Sequence, residues 1–165
     1  MNGTYARTIA GDPKEALRAL TGAPCNSHQH ANLTADELWG KVVDADKRNY
    51  IMACGGVNPD YDDHEGNTTG LQSGHAYSLI GAYDTEGHKL VKLRNPWGKF
   101  EWTGRWSDND KKWTPGMKKA VGFTNEDDGT FHMCIEDFHS IYKYTVVCSF
   151  NEGYVFESVE HTEHP

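Results

Sequence analysis

Several things are missing from this chain, and each absence excludes something. No apolar run approaches the ~20 residues needed to span a bilayer, and no basic-then-apolar leader opens the sequence. Positive charge is in deficit: 16 Lys and Arg stand against 24 Asp and Glu, a formal net charge of -8. That balance argues against nucleic-acid binding as the main activity. Cysteine is sparse, and Cys25, Cys54, Cys134 and Cys148 form no Cys-x-x-Cys unit, which argues against a zinc ribbon or a small disulfide scaffold. No His-x-x-x-His with a partner acid occurs, so His28, His30, His132 and His139 do not read as a zinc site. Internal repeats and low-complexity tracts are absent, and without a leader the Asn-x-Thr triplets at Asn2, Asn32 and Asn67 read as chance. What remains is a cytoplasmic chain with reduced thiols, read as a single domain over residues 1–165 that can bury a real core.

Local signals then divide the chain. Asp12-Pro13-Lys14-Glu15 predicts a helix start, with Ala16, Leu17 and Leu20 as its apolar face and Gly22 as its stop. Thr34 and Glu37 make a capping box for a second helix, with Leu33 placed to staple onto Leu38. Leu38, Trp39, Val42 and Val43 recur at helical spacing until the pattern fades near Asn49. A strand is predicted over Tyr50 to Cys54, followed by a long polar loop over residues 57–73. Ala76 to Tyr83 and His88 to Arg94 read as strands, and residues 95–117 as a loop pinned by four tryptophans. Asn125 to Gly129 is an acidic turn, Ile135 to Tyr142 a short helix, and Tyr144 to Phe150 with Tyr154 to Val159 a closing hairpin. The end, His161 to Pro165, is read as frayed. The fold class is α+β: a mainly antiparallel, barrel-like sheet with the N-terminal helices packed on it.

The central strands carry the chemistry. Asp84-Thr85-Glu86-Gly87 suits a type I turn with a bulge at the glycine, pairing residue 84 with 88. Followed outward, that ladder sets Tyr77 opposite Asn95 and His75 opposite Trp97, with all four side chains on one face. His75 and Asn95 are then diagonal neighbours, roughly 7–8 Å apart at the backbone. An imidazole that takes a proton from a thiol, oriented by a side-chain amide, is what cysteine-based peptide hydrolysis requires. Trp97 over that contact would keep water away and strengthen it. The plain alternative is a histidine and an asparagine at a strand end, each satisfied by local backbone. A one-residue slip would send the two side chains to opposite faces.

Gly74-His75-Ala76-Tyr77-Ser78 followed by Arg94-Asn95-Pro96-Trp97-Gly98 resembles the calpain family of papain-like cysteine proteases. Glu101-Trp102-Thr103-Gly104, Trp106-Ser107-Asp108, Asp128-Gly129, Phe131 and Asp137-Phe138 continue the likeness, which is dense from about Ile51 to Val147. The resemblance implies the second half of a two-part protease core, with His75 and Asn95 as the catalytic histidine and asparagine and Trp97 as the tryptophan beside them. The half that bears the cysteine nucleophile is then absent from this sequence. Cys25, in Ala-Pro-Cys-Asn-Ser-His, lacks the helix-opening context of such a nucleophile, and Cys54, Cys134 and Cys148 read as small buried hydrophobes.

The same resemblance implies calcium ligands at Glu101, Asp108 and Asp128, with a backbone carbonyl near Glu126. Thr130 stands where the family often has a glutamate, which weakens the site unless Asp127 compensates. These residues read equally as a solvated acidic turn. The functional expectation is the His/Asn half of an intracellular, calcium-dependent cysteine endopeptidase, inactive alone. Its partners are the cysteine-bearing subdomain and protein substrates. The alternatives are a non-enzymatic regulatory or scaffold module, or a stand-alone calcium-binding module.

Overall fold

The computed structural model describes residues 11–62, 69–151 and 153. The first helix, α1 (Pro13–Thr21), begins as its sequence dictates. The Asp12 side chain accepts from the Lys14 N–H at 2.9 Å, Pro13 opens the first turn and Gly22 closes the last. Its apolar face is not covered as expected: no α1 residue is buried, and Leu20 is 83% exposed. α1 lies at the sheet edge, against residues 144–148 and against β1 (Cys25–Gln29), whose Asn26, Ser27, His28 and Gln29 offer little apolar surface. The second helix, α2 (Ala35–Lys47), has the full capping box: Glu37 N–H donates to Thr34 Oγ1, and Thr34 N–H donates to Glu37 Oε2. Its Leu38, Val42 and Ala45 are buried, and Leu33 packs on the same core.

The strands are β1, β2 (Ile51–Gly55), β3 (Ala76–Thr85), β4 (His88–Arg94), β5 (Thr130–Cys134) and β6 (Tyr144–Cys148). They form one sheet in the order β1-β6-β2-β3-β4-β5, antiparallel at every pairing. The α+β class follows. Among the described residues the sheet has two edges, β1 and β5, rather than a closed barrel seam. β6 lies between β1 and β2, so it does not close a hairpin of its own. Tyr154 to Val159, its expected partner, lies outside the described residues, as does His161 to Pro165. No described helix is long and apolar enough to cross a membrane.

Three elements escaped the sequence reading. β1 is polar and without alternation, and only its ladder with β6 makes it a strand. β5 lies between the acidic turn and the short helix of the sequence reading, and it extends the sheet beyond β4. The third, α3 (Pro115–Val121), is capped by Thr114, whose hydroxyl accepts from Met117 N–H at 3.1 Å. α4 (Ile135–Ile141) follows β5 directly.

The main core lies between the sheet and helices α2 and α4, built from Leu38, Val42, Met52, Tyr77, Leu79, Leu93, Phe131 and Phe138. A second cluster gathers Leu90, Trp106, Trp113, Met117 and Val121. Three of the four loop tryptophans are thus buried, Trp102 included. Trp102 Nε1 donates to Arg105 O and Trp113 Nε1 to Ser107 O, each at 2.9 Å, so neither indole leaves an N–H stranded. Each indole removes some 150–250 Å² from water, about 4–6 kcal/mol gross, enough to hold a loop without regular structure.

The β3–β4 hairpin turns differently from the prediction and arrives at the same register. Thr85 pairs with His88 and Asp84 with Lys89, leaving a two-residue turn of Glu86 and Gly87. Both have positive φ, 50° and 80°, the signature of a type I′ turn whose twist matches the strands. This ladder is one residue out of step with the expected one. A bulge between Leu79 and Gly81 then inserts Ile80, and beyond it Leu79 pairs with Leu93 and Ser78 with Arg94. The bulge expected at the turn lies mid-strand, and from there outward the predicted register is restored.

Candidate active site

His75 and Asn95 meet where β3 begins and β4 ends. His75 Nε2 and Asn95 Oδ1 are 2.9 Å apart. The orientation of the amide is not arbitrary. Asn95 Nδ2 donates to the Lys99 and Phe100 carbonyls at 2.7 and 3.2 Å, which only an NH₂ group can do. Oδ1 therefore faces the imidazole, and it also accepts from Trp97 N–H at 3.1 Å. An amide oxygen cannot donate, so the proton of the contact sits on His75 Nε2, and in the neutral ring Nδ1 carries the lone pair. Asn95 is fully buried while His75 is half-buried, so the amide end of the pair lies inside and the imidazole end faces outward.

Aromatic rings hold the imidazole. Trp97 lies against it with centroids 4.3 Å apart, and Tyr77 meets it edge-on at 4.9 Å. Tyr77 is buried, and its hydroxyl accepts from Gln72 N–H at 2.9 Å, tying the polar loop to the site. Trp97 is 54% exposed, so it lies against the ring with much of its own surface in solvent. The carbonyls of Lys99 and Phe100 were not foreseen. Phe100 takes φ 63°, an unfavourable value for a side-chain-bearing residue. A backbone carbonyl carries no residue signature, so no sequence signal pointed to it.

No thiol in the chain is prepared for attack. Cys54, Cys134 and Cys148 are buried and Cys25 is partly exposed. Burial pushes Cys25 and Cys134 up to about 11 and Cys54 well above the ordinary thiol range. Such groups stay protonated at neutral pH, and the thiolate is the nucleophile.

Two acidic loops flank the pair. Glu101 Oε1 accepts from Asp128 and Gly129 N–H at 3.0 and 2.8 Å, and Asp128 Oδ1 accepts from Thr130 N–H at 2.7 Å. Gly129 O in turn accepts from Asn95 N–H at 2.8 Å. That approach needs glycine: at φ 83°, a Cβ on residue 129 would fall 2.8 Å from Asn95 O. Asp108 Oδ1 is buried with no hydrogen-bond partner. Burial, then the charges of Glu101 and Asp128, push Asp108 up to about 6, and burial likewise raises Glu101. The three carboxylates therefore share one electrostatic neighbourhood. Among the described residues, however, no three His, Cys, Asp or Glu side chains gather tightly enough to hold a metal ion. Two of the histidines weighed as metal ligands lie elsewhere: His132 sits among Trp113, Phe123 and Tyr83, and His139 donates toward the carbonyls of His30 and Leu33.

The model of the calpain family of cysteine proteases matches residues 1–149. The chain is 33% identical over 162 residues to calpain-14 of Homo sapiens, an overlap of 93% of this chain and 22% of that protein. It is 30% identical over 171 residues to calpain-9 of Mus musculus, covering 98% of this chain and 24% of the relative. It is also 30% identical over 156 residues to the calpain-type cysteine protease DEK1 of Zea mays, covering 90% of this chain and 7% of DEK1. The chain belongs to the calpain family of cysteine proteases. It spans about a quarter or less of the curated relatives it matches.

Proposed function

We propose that this chain is the His/Asn-bearing half of an intracellular, calcium-dependent calpain-like cysteine endopeptidase, inactive without the cysteine-bearing subdomain. The observation that carries this reading is the amide-locked contact between His75 and Asn95. With Nε2–H donated to Asn95, Nδ1 is the base that takes the proton of a thiol supplied by the other subdomain. The thiolate attacks the peptide carbonyl, the C–N bond breaks, and His75 returns its proton to the departing amine. Water then releases the acyl group. Asn95 holds the ring through both proton transfers, and Trp97 shields their hydrogen bond on one side.

The test is peptide hydrolysis with and without a thiol alkylator. The chain alone should cleave nothing, and the full-length protein should cleave in an alkylator-sensitive way. Alkylator-sensitive cleavage by the chain alone would overturn the half-site reading. A second reading, a regulatory or scaffold module, draws on the raised thiols of Cys25, Cys54 and Cys134 and on the burial of Cys148. A Gln-x-Gly-x-Cys-Trp-like segment elsewhere in the full-length protein favours the enzyme, and its absence the module.

Calcium belongs to the same proposal. Glu101, Asp108 and Asp128 are the residues that would hold it: the unpartnered oxygen of Asp108 and its like-charged neighbours suit a cation, which would have to draw the three side chains closer together than they stand. Bound calcium would supply positive charge between the two acidic loops. Because Gly129 also binds the Asn95 backbone, ordering those loops steadies the asparagine. Tryptophan fluorescence during calcium titration tests this, and no response at millimolar calcium would remove the site. The free thiols fit a reducing compartment, hence a cytoplasmic location.

A further inference from the structure

The first and last strands bring two cysteines face to face. Cys25 of β1 is directly opposite Cys148 of β6. Ser149 N–H donates to Pro24 O at 2.9 Å, and His30 N–H donates to Lys143 O at 2.8 Å. These bonds fix the alternation of the ladder. Residues 24 and 149, like 30 and 143, are hydrogen-bonded pairs, so 25 and 148 form a non-hydrogen-bonded pair. In such a pair the Cα atoms lie about 4.5 Å apart and the side chains share a face at their closest. That is within the ~4.4–6.8 Å a disulfide can bridge.

The two side chains also act on each other. After burial, the next influences on Cys25 are a hydrogen bond and a charge from Cys148. Cys148 Sγ also contacts Thr21 Oγ1 at 3.3 Å, and Cys25 Sγ donates to Ala23 O at 3.4 Å. No other cysteine competes. Cys54 is opposite Thr145 and Tyr77, and Cys134 is opposite Leu90 at the far side of the sheet.

We infer that Cys25 and Cys148 are a dithiol modification site, which a peroxide oxidises to an intramolecular disulfide that staples edge strand β1 to β6. Cys25 is the partly exposed member and meets the oxidant; Cys148 is buried behind it. The Cys25 thiolate attacks one peroxide oxygen, the O–O bond breaks, and hydroxide leaves with a proton as water. Cys148 sulfur then attacks the sulfur of the resulting sulfenic acid and the S–O bond breaks. The hydroxide takes the Cys148 proton and leaves as a second water. Two electrons pass from the thiols to one peroxide. Arg18 and Lys14 on α1 favour the Cys25 thiolate, but burial opposes it more, so the reaction is slower than at a catalytic thiol.

The disulfide would close a loop from residue 25 to residue 148, limiting the unfolded chain far more than the folded one. The experiment treats the whole chain with hydrogen peroxide, alkylates the remaining thiols and maps the peptides. The expected result is a mass loss of about 2 Da before alkylation, one linked peptide pair holding Cys25 and Cys148, and Cys54 and Cys134 alkylated on unfolding. Thermal unfolding of the oxidised form should rise by roughly 5–15 °C and return on reduction. Cys25→Ser should abolish both the link and the rise. Recovery of Cys25 as sulfinic acid, as a link between two chains, or as an alkylated thiol would overturn the proposal. The mapping on the unsubstituted chain needs no variant to fold. The outcome is independent of whether His75 and Asn95 catalyse proteolysis.

Discussion

His75 and His132 are imidazoles served by one sheet under opposite conditions. His75, just before β3, is half-buried, held by a fixed amide and touched by two rings. His132, on β5, is almost wholly buried among Trp113, Phe123 and Tyr83, and its ring nitrogens make no well-formed hydrogen bond, only a weak one to the Val121 backbone. Burial, then the charge of Lys92, pushes His132 down to about 3. On the proposed reading the first ring exchanges a proton with a reactant; the second is a neutral piece of core. Residue type alone separates neither, and what distinguishes them is access to solvent together with an oriented acceptor.

The contrast breaks most visibly in kinetics. In the full-length protein, His75→Ala should lower kcat for peptide hydrolysis by about 10²–10⁴-fold, the usual worth of a general base. The melting temperature should barely move. A large fall in melting temperature with kcat per folded molecule intact would put His75 in the same structural class as His132. The converse substitution acts on stability. His132→Ala should cost about 3–5 kcal/mol in urea unfolding, as truncation of a buried aromatic does, without changing kcat per folded molecule. His132→Phe fills the same space without two poorly partnered nitrogens, so it should be neutral or stabilising.

Acid sharpens the same comparison. The unfolded His132 takes a proton below its ordinary value of 6.5, but the folded one does not until about 3. Its contribution is therefore complete above pH 6.5 and is lost as pH falls from 6.5 toward 3. Between pH 6.5 and 5 the loss is about 2 kcal/mol. His30, pushed down to about 4 chiefly by burial, acts in the same sense. Urea midpoints from pH 7 to 5 should fall for the unsubstituted chain and fall less for His132→Phe; equal slopes would remove His132 from the account. The smallest effect belongs to Trp97→Ala. Losing the indole wets one side of a hydrogen bond worth about 1 kcal/mol, so kcat should drop roughly fivefold. The melting temperature should hold, since Trp97 is 54% exposed.

Much of the frame was readable locally. Asp12, Pro13, Thr34 and Glu37 mark their helix starts because caps act over a single turn. β1 was not readable, because Asn26, Ser27, His28 and Gln29 become a strand only through their ladder with β6. α3 was hidden although Thr114 and Pro115 announce it, because the tryptophan-rich loop before it hid the signal. Leu20 belongs to the predicted apolar face yet stays exposed, where α1 sits at the sheet edge beside polar β1. At the site, His75, Asn95 and Trp97 were singled out by type and register. The turn that was to set that register was misread, and the bulge at Ile80 compensates for it.

By itself, then, the sequence determined the helix caps, the α+β class, the family, and the residues that meet at the mouth of the hairpin. Those features are encoded in side-chain identity and short-range periodicity. Tertiary structure alone decided which way the Asn95 amide faces, which histidine is core and which is reachable, and that Cys25 lies opposite Cys148. Each of these depends on backbone carbonyls, burial or strand pairing between residues far apart in the chain, and such contacts leave no mark on local composition.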